Sequence, residues 1–121
     1  MHAEGPGWRL AVDPSREGYQ ALVGGEGWAI ELSLEELDAL RSLCARLQDQ
    51  HLAIADQLMA EESIEIALEQ EPWWLELSGD RERWSLRFVL SPTNGGRGAE
   101  GLWRAPASAE LCLALAKAGS F

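Results

Sequence analysis

Apolar and polar residues alternate in the first part of the chain, as they do in half-buried strands. Every second residue is apolar over 8–13 (WRLAVD) and 28–32 (WAIEL), and a further apolar run occupies 19–23 (YQALV). The clusters PSREG and GGEG, which separate these runs, have the composition of turns. The pattern predicts three strands before residue 33.

From Ser33 onward the hydrophobic period becomes that of a helix. Ser33 and Glu36 have the spacing of a capping box, which marks a helix N-terminus. Apolar residues then recur at steps of three and four, which predicts one long helix over roughly 34–59, either continuous or broken near 50–53. The stripe consists of Leu37, Leu40, Cys44, Leu47, His51, Ile54 and Leu58.

The second half of the chain repeats the order of strands followed by a helix. Strands are predicted at 64–69, 73–78, 83–90 and 102–104, and a helix at 106–118 with Gly119 as its C-cap. The segment 91–101 (SPTNGGRGAEG) has the composition of a mobile loop. Strands that follow one another indicate an antiparallel α+β fold of about seven strands, βββα-ββββα, in a single domain over 1–121.

Three tryptophans lie close together in the segment EPWWLELSGDRERWSLRFVL. In a hairpin, Trp73 and Trp84 share an apolar face, whereas Trp74 lies on the opposite, polar face. A two-residue turn at Gly79-Asp80 pairs Glu76 with Arg83; a four-residue turn shifts the register by two and keeps the faces. Either turn makes Trp73 and Trp84 core residues and near cross-strand neighbours.

Trp74 is the candidate site residue, and two interpretations compete for it. Its ring is covered by a loop or by Arg83 or Arg87 in a cation–π contact, or it anchors a partner or a second subunit. The candidate interaction surface is therefore Trp74, Arg83 and Arg87.

The charge balance narrows the class of partner. The chain has 20 acidic and 10 basic residues and a net charge of −10. A uniformly acidic chain is a poor ligand for phosphate backbones, so nucleic acid is an unfavourable partner. The N-terminus MHAEGPGW lacks the basic and apolar regions of a signal peptide, and no apolar run reaches the length of a membrane span. We expect a cytoplasmic protein with no membrane partner.

Motifs that would indicate catalysis or cofactor binding do not occur. Cys44 and Cys112 lie in helical apolar patterns and are interpreted as small buried hydrophobic residues. His51 belongs to the helix stripe, which favours a partly buried structural histidine. GGEG and GGRG lack the spacing of phosphate-binding loops, and no zinc motif occurs. The sequence predicts no enzyme and no cofactor, and favours a protein-interaction or self-associating module.

Four segments carry a family resemblance: GPGWRLAVDPSRE, LVGGEGWAIELS, RWSLRFVL and GLWRAPA. In these segments the chain resembles a small cyanobacterial protein family of unknown function. The resemblance implies a fold similar to the single-stranded-DNA-binding transcriptional regulators, including the plant Whirly proteins. It therefore implies a curved antiparallel sheet, built from two sheet-plus-helix repeats, with the helices on one side. Single-stranded nucleic-acid binding is the alternative function that follows from this resemblance.

Overall fold

The computed structural model describes residues 1–92 and 96–118. Each half of the chain contributes four strands and then a helix, so the order is ββββα-ββββα. The elements are β1 (His2–Gly5), β2 (Trp8–Val12), β3 (Ala21–Gly25), β4 (Trp28–Leu32), α1 (Leu34–Ala55), β5 (Ile64–Gln70), β6 (Trp73–Gly79), β7 (Trp84–Leu90), β8 (Ala99–Trp103) and α2 (Ala107–Ala118).

The strands form two antiparallel sheets of four, in the orders β1-β2-β3-β4 and β5-β6-β7-β8. The α+β class and the antiparallel pairing are therefore confirmed. The expectation of about seven strands in one sheet missed β1 and the division into two sheets. β1 pairs only with β2, and both His2 and Glu4 are exposed. An edge strand of this kind carries no apolar alternation for a sequence pattern to reveal.

Each helix packs mainly on the sheet formed by the other half of the chain. α1 lies against β5 and β6, and α2 lies against β1 and β2 as well as β7. The two halves are joined at the sheets by Trp103, whose indole Nε1 donates to the carbonyl of Gly24 at 2.9 Å. Because each helix packs on the sheet of the other half, both sheets and both helices contribute residues to one continuous apolar core.

Helix α1 begins as the sequence predicts and ends earlier. Ser33 and Glu36 form the complete capping box. The helix ends at Ala55, four residues before the predicted end, and Ile54 is 39% exposed. Tight turns follow, in which backbone hydrogen bonds reach back three residues, and no basic side chain stabilises the last helical turn. Ile54 therefore lies beyond the part of the helix that the core covers, whereas Leu58, after the end of the helix, is partly buried against the core.

The β6–β7 hairpin has the predicted faces and a different register. Gly79 pairs with Trp84, and Glu76 pairs with Arg87 and not with Arg83. The loop comprises residues 80–83. Asp80 stabilises this loop, because its backbone N–H donates to the Arg83 carbonyl and its carboxylate accepts from the backbone N–H groups of Glu82 and Arg83. Trp73 and Trp84 are both buried, as predicted, but they lie at opposite ends of the hairpin and are not cross-strand neighbours.

The remaining predicted boundaries differ from the structure by a few residues. The last strand begins at Ala99, so it occupies part of the segment predicted as a loop. The central part of that loop, 93–95, and the predicted C-cap Gly119 lie outside the described residues. No helix among the described residues is long and apolar enough to cross a membrane.

Candidate functional site

The second sheet has one face turned away from the helices, which we call the outer face. Side chains alternate across a sheet, so the outer face takes every second residue of β5 to β8. It contains four glutamates and one arginine, and is therefore acidic. Its members are Glu65, Ala67, Glu69, Trp74, Glu76, Ser78, Ser85, Arg87, Val89, Glu100 and Leu102.

Trp74 is half-buried and lies in the end row of the outer face, which also contains Glu69, Val89 and Glu100. It pairs with Glu69 on one side and Val89 on the other. The guanidinium carbon of Arg87 lies 5.4 Å from the centroid of the Trp74 ring, within the range of a cation–π contact. Leu102, opposite Arg87, is 37% exposed. Trp74, Val89 and Leu102, on the neighbouring strands β6, β7 and β8, thus form a small apolar patch toward one end of the face, beside Glu69, Glu76 and Glu100.

The structure brings Trp74 and Arg87 together and leaves Arg83 apart. Arg83 lies in the β6–β7 loop, where its backbone N–H donates to Asp80 Oδ1 at 2.7 Å. Backbone hydrogen bonds from Arg83 and Glu82 lower the pKa of Asp80. Asp80 directly follows β6 and lies six residues after Trp74, a separation of roughly 20 Å along the extended chain. Arg83 therefore stabilises the loop, and the apolar patch has Arg87 as its basic neighbour.

Trp73, the neighbour of Trp74 in sequence, belongs to the core. It is 1% exposed, and its Nε1 donates to the carbonyl of Glu36 at 2.8 Å. His51, which the sequence predicts to be structural, is 5% exposed, and its Nε2 lies 3.1 Å from the carbonyl of Asp80. Both residues therefore connect α1 to the β6–β7 hairpin.

A polar cluster that the sequence does not reveal joins Arg97 to the start of α1. Arg97 donates to both carboxylate oxygens of Glu36, at 2.8 and 3.0 Å, and to the carbonyl of Glu31. Its guanidinium carbon lies 4.2 Å from the centroid of the Tyr19 ring. Burial opposes ionisation of Glu36, but hydrogen bonds from Arg97 and Ser33 outweigh it and lower the pKa of Glu36. Since Arg97 lies in a glycine-rich segment without periodicity, only the tertiary structure identifies its partners.

The two cysteines are buried and lie next to each other where the helices meet. Cys44 on α1 is 1% exposed and Cys112 on α2 is 3% exposed, so their interpretation as buried residues is confirmed. A hydrogen bond with the Cys112 thiol, together with burial, raises the pKa of Cys44 well above its usual range. A buried thiol of raised pKa is a poor nucleophile, so the pair has a packing role.

A cleft of about 890 Å³ opens beside the start of α2. Glu26 and Arg104 contribute one charge of each sign to its walls, and both are exposed. Its wall is completed by Trp28, Leu102 and backbone of the β1–β2 turn. No group of three or more His, Cys, Asp or Glu residues within 1–92 and 96–118 could hold a metal ion. The outer face, which is acidic and carries the aromatic ring of Trp74, is the stronger candidate site.

Comparison with known proteins identifies the family and no activity. A crystal structure of a protein of unknown function, described as a DUF155 family member from Prochlorococcus sp. NATL2A, has 39% sequence identity and a TM-score of 0.91. The alignment covers 98% of each chain. No curated protein matches the sequence significantly. Residues 3–118 match the family described as Domain of unknown function (DUF1818), and the chain therefore belongs to that family.

Proposed function

We propose that this chain is a protein-interaction module that binds a positively charged protein segment on the outer face of its second sheet. The supporting observation is the composition of that face, which combines the aromatic ring of Trp74 with four glutamates and Arg87. The proposal assigns the chain no enzymatic activity and places it in the cytoplasm. Two thiols that are not joined in a disulfide suit a reducing compartment.

The arrangement of the face resembles that of many protein interfaces. Such interfaces have an apolar, aromatic centre with a polar rim, and tryptophan is enriched among the residues that contribute most to affinity. Here the apolar patch of Trp74, Val89 and Leu102 corresponds to the apolar part of such an interface, and the neighbouring glutamates form the polar rim. The rim favours a basic partner and accelerates its approach.

The same face is unfavourable for the two other partners that the sequence suggests. A second copy docked face to face would place glutamates against glutamates. Single-stranded nucleic acid requires a basic groove with several aromatic platforms, whereas this face has one arginine and one tryptophan. The likeness to Whirly proteins stays a prediction of the sequence, and it is the reason to include single strands in the test.

The test uses a fluorescently labelled peptide of about ten residues, a usual strand length, in which lysine and valine alternate. We expect binding, measured by fluorescence anisotropy, that weakens as salt is added. Trp74→Ala and the double variant Glu69→Gln/Glu76→Gln should each weaken binding roughly tenfold. An otherwise identical glutamate–valine peptide should not bind.

The matched control is Glu17→Gln/Glu35→Gln, which changes the net charge equally at exposed positions outside the outer face. If both double variants weaken binding to the same extent, the peptide responds to overall charge and the proposed site is wrong. The proposal also fails if the peptide does not bind, or if a single-stranded oligonucleotide binds more tightly than the peptide.

A further inference from the structure

Strand β5 is an edge of the second sheet, and within residues 1–92 and 96–118 its outer side has no partner strand. It pairs only with β6, through all seven residues from Ile64 to Gln70. No backbone–backbone hydrogen bond within the described ranges uses the other side of β5. The strand is as long as β6 and β7 and longer than the other three edge strands, β1, β4 and β8.

The hydrogen-bonding pattern identifies which β5 residues present their backbone to solvent. Ser91 N donates to Pro72 O at 2.9 Å, so the even-numbered residues of β6 bond to β7. Because bonding alternates along an antiparallel strand, the odd-numbered residues of β6 bond to β5. They pair with the even-numbered residues of β5. The N–H and C=O groups of Glu65, Ala67 and Glu69 therefore point away from the sheet.

The side chains along this edge define what an added strand would contact. Glu65, Ala67 and Glu69 are all exposed and belong to the outer face. On the opposite side, Ile64 and Ile66 are 6% and 8% exposed. In a strand added beside β5, the side chains on one face would contact the carboxylates of Glu65 and Glu69. The side chains on the other face would contact the apolar residues Ile64 and Ile66 under α1.

We propose that the partner binds by strand addition: an extended segment of alternating basic and apolar residues pairs antiparallel with β5. This inference rests on the proposed function and specifies its binding mode: the backbone of the segment pairs with β5, and its lysine side chains extend across β5 toward Trp74, two strand spacings or roughly 10 Å away. The three outward-facing residues supply backbone donors and acceptors, and the glutamates select basic residues opposite them. A second copy is disfavoured, because antiparallel self-pairing about Ala67 would place Glu65 opposite Glu69.

Backbone N-methylation of the lysine–valine peptide tests the mode directly. Residues directly opposite Glu65 and Glu69 share the outer face, so the lysines are the residues whose N–H groups point at β5. We expect N-methylation of the lysines to weaken binding roughly tenfold or more, and N-methylation of the valines to have little effect. Equal effects of the two modifications, or no effect of either, would overturn strand addition.

A change in the protein provides the second test. Ala67→Pro removes the outward N–H without breaking a bond to β6, since proline is accepted on edge strands at such positions. It should weaken binding of the unmodified peptide roughly tenfold; unchanged binding would contradict the inference. If this variant does not fold, the N-methylated peptides decide with the unaltered protein. Failure of the unmodified peptide to bind would instead refute the proposed function itself.

Discussion

The indole ring of Trp28 lies directly over Gly25, its partner across the β3–β4 hairpin. A Cβ atom added at Gly25 would lie 2.6 Å from Nε1 of Trp28 and still closer to two ring carbons. The ring also contacts Phe88 and Trp103, with centroids 5.3 and 5.2 Å away. The β1–β2 hairpin repeats the arrangement, with Trp8 over Gly5 and the same G-x-G-W sequence.

Replacing Gly25 by alanine should therefore displace Trp28 and disturb the contact between the sheets. We expect the free energy of unfolding to fall by about 2–3 kcal/mol, the usual cost of overpacking a core. Chemical denaturation measures the loss. The near-ultraviolet circular dichroism of the folded state should also change, because the Trp28 ring moves relative to Phe88 and Trp103.

Gly27→Ala is the matched control, two residues away in the same hairpin. Gly27 has φ +81° and no atom within 4 Å of an added Cβ, so alanine there costs backbone strain alone, about 1 kcal/mol. Its near-ultraviolet spectrum should match that of the unaltered protein. If both variants lose the same stability and keep the same spectrum, Gly25 is not needed to accommodate the ring.

Alternation along the chain was enough to predict which side of the hairpin each tryptophan occupies. Trp73 and Trp74 are on the predicted faces because a change of register by an even number of residues keeps the faces. The register itself depends on Asp80, whose carboxylate accepts from two backbone N–H groups of the loop. Such a loop-specific interaction has no periodic signature, so the partner of Glu76 was predicted incorrectly.

The difference between the two adjacent tryptophans predicts opposite results for matched substitutions. Trp73→Phe removes the indole donor and leaves the partly buried Glu36 carbonyl without that hydrogen bond. It should lower the free energy of unfolding by about 1–3 kcal/mol. Trp74→Phe retains an aromatic ring at a half-buried position on the outer face. It should change the free energy of unfolding by less than about 0.5 kcal/mol.

Thermal and urea denaturation of the two variants provide the comparison. A larger loss for Trp74→Phe than for Trp73→Phe would contradict the assignment of the faces. Trp74→Phe should still weaken binding of the lysine–valine peptide, because phenylalanine covers less area and interacts less strongly with Arg87. Stability and binding thus separate the roles of two consecutive residues.

Other features of the site were not predictable from the sequence, since they arise from the way the two halves pack. Arg97 reaches Glu36 across 61 positions of sequence. The open side of β5 becomes evident only when the division into two sheets is known, because a single sheet would give β5 a neighbour on each side. Local patterns specify strands and faces, and the assembly of the halves determines the edges.

The Glu36–Arg97 pair should make stability depend on pH in the acid range. The folded-state pKa of Glu36 lies below its unfolded value, so its contribution is fully present above the unfolded pKa of about 4.3. It is lost as the pH falls through the lower, folded-state pKa, because the unfolded chain then binds more protons. At neutral pH, Glu36→Gln should cost about 1 kcal/mol, as it removes a charge-assisted hydrogen bond.

The difference between Glu36→Gln and the unaltered protein should shrink toward acid pH, where the carboxyl group is itself neutral. Urea denaturation at a series of pH values measures it. Glu35→Gln, at the exposed neighbouring position in the same turn, is the control and should show little difference at any pH. A difference for Glu36→Gln that stays constant down to the acid limit would show that its charge does not matter.

The buried cysteine pair should react with thiol reagents only when the protein unfolds. Cys44 and Cys112 are almost fully buried, and the hydrogen bond between them and their burial raise the pKa of Cys44. Both the shortage of thiolate and the lack of access slow the reaction in the folded state. The rate of labelling by an aromatic disulfide reagent should therefore follow the population of unfolded chain as urea is added.

Ala45→Cys supplies an exposed thiol on the same helix as a positive control and should react at once in the native protein. Rapid native-state labelling of Cys44 or Cys112 would mean that α1 and α2 separate locally, and would contradict a purely structural role for the pair.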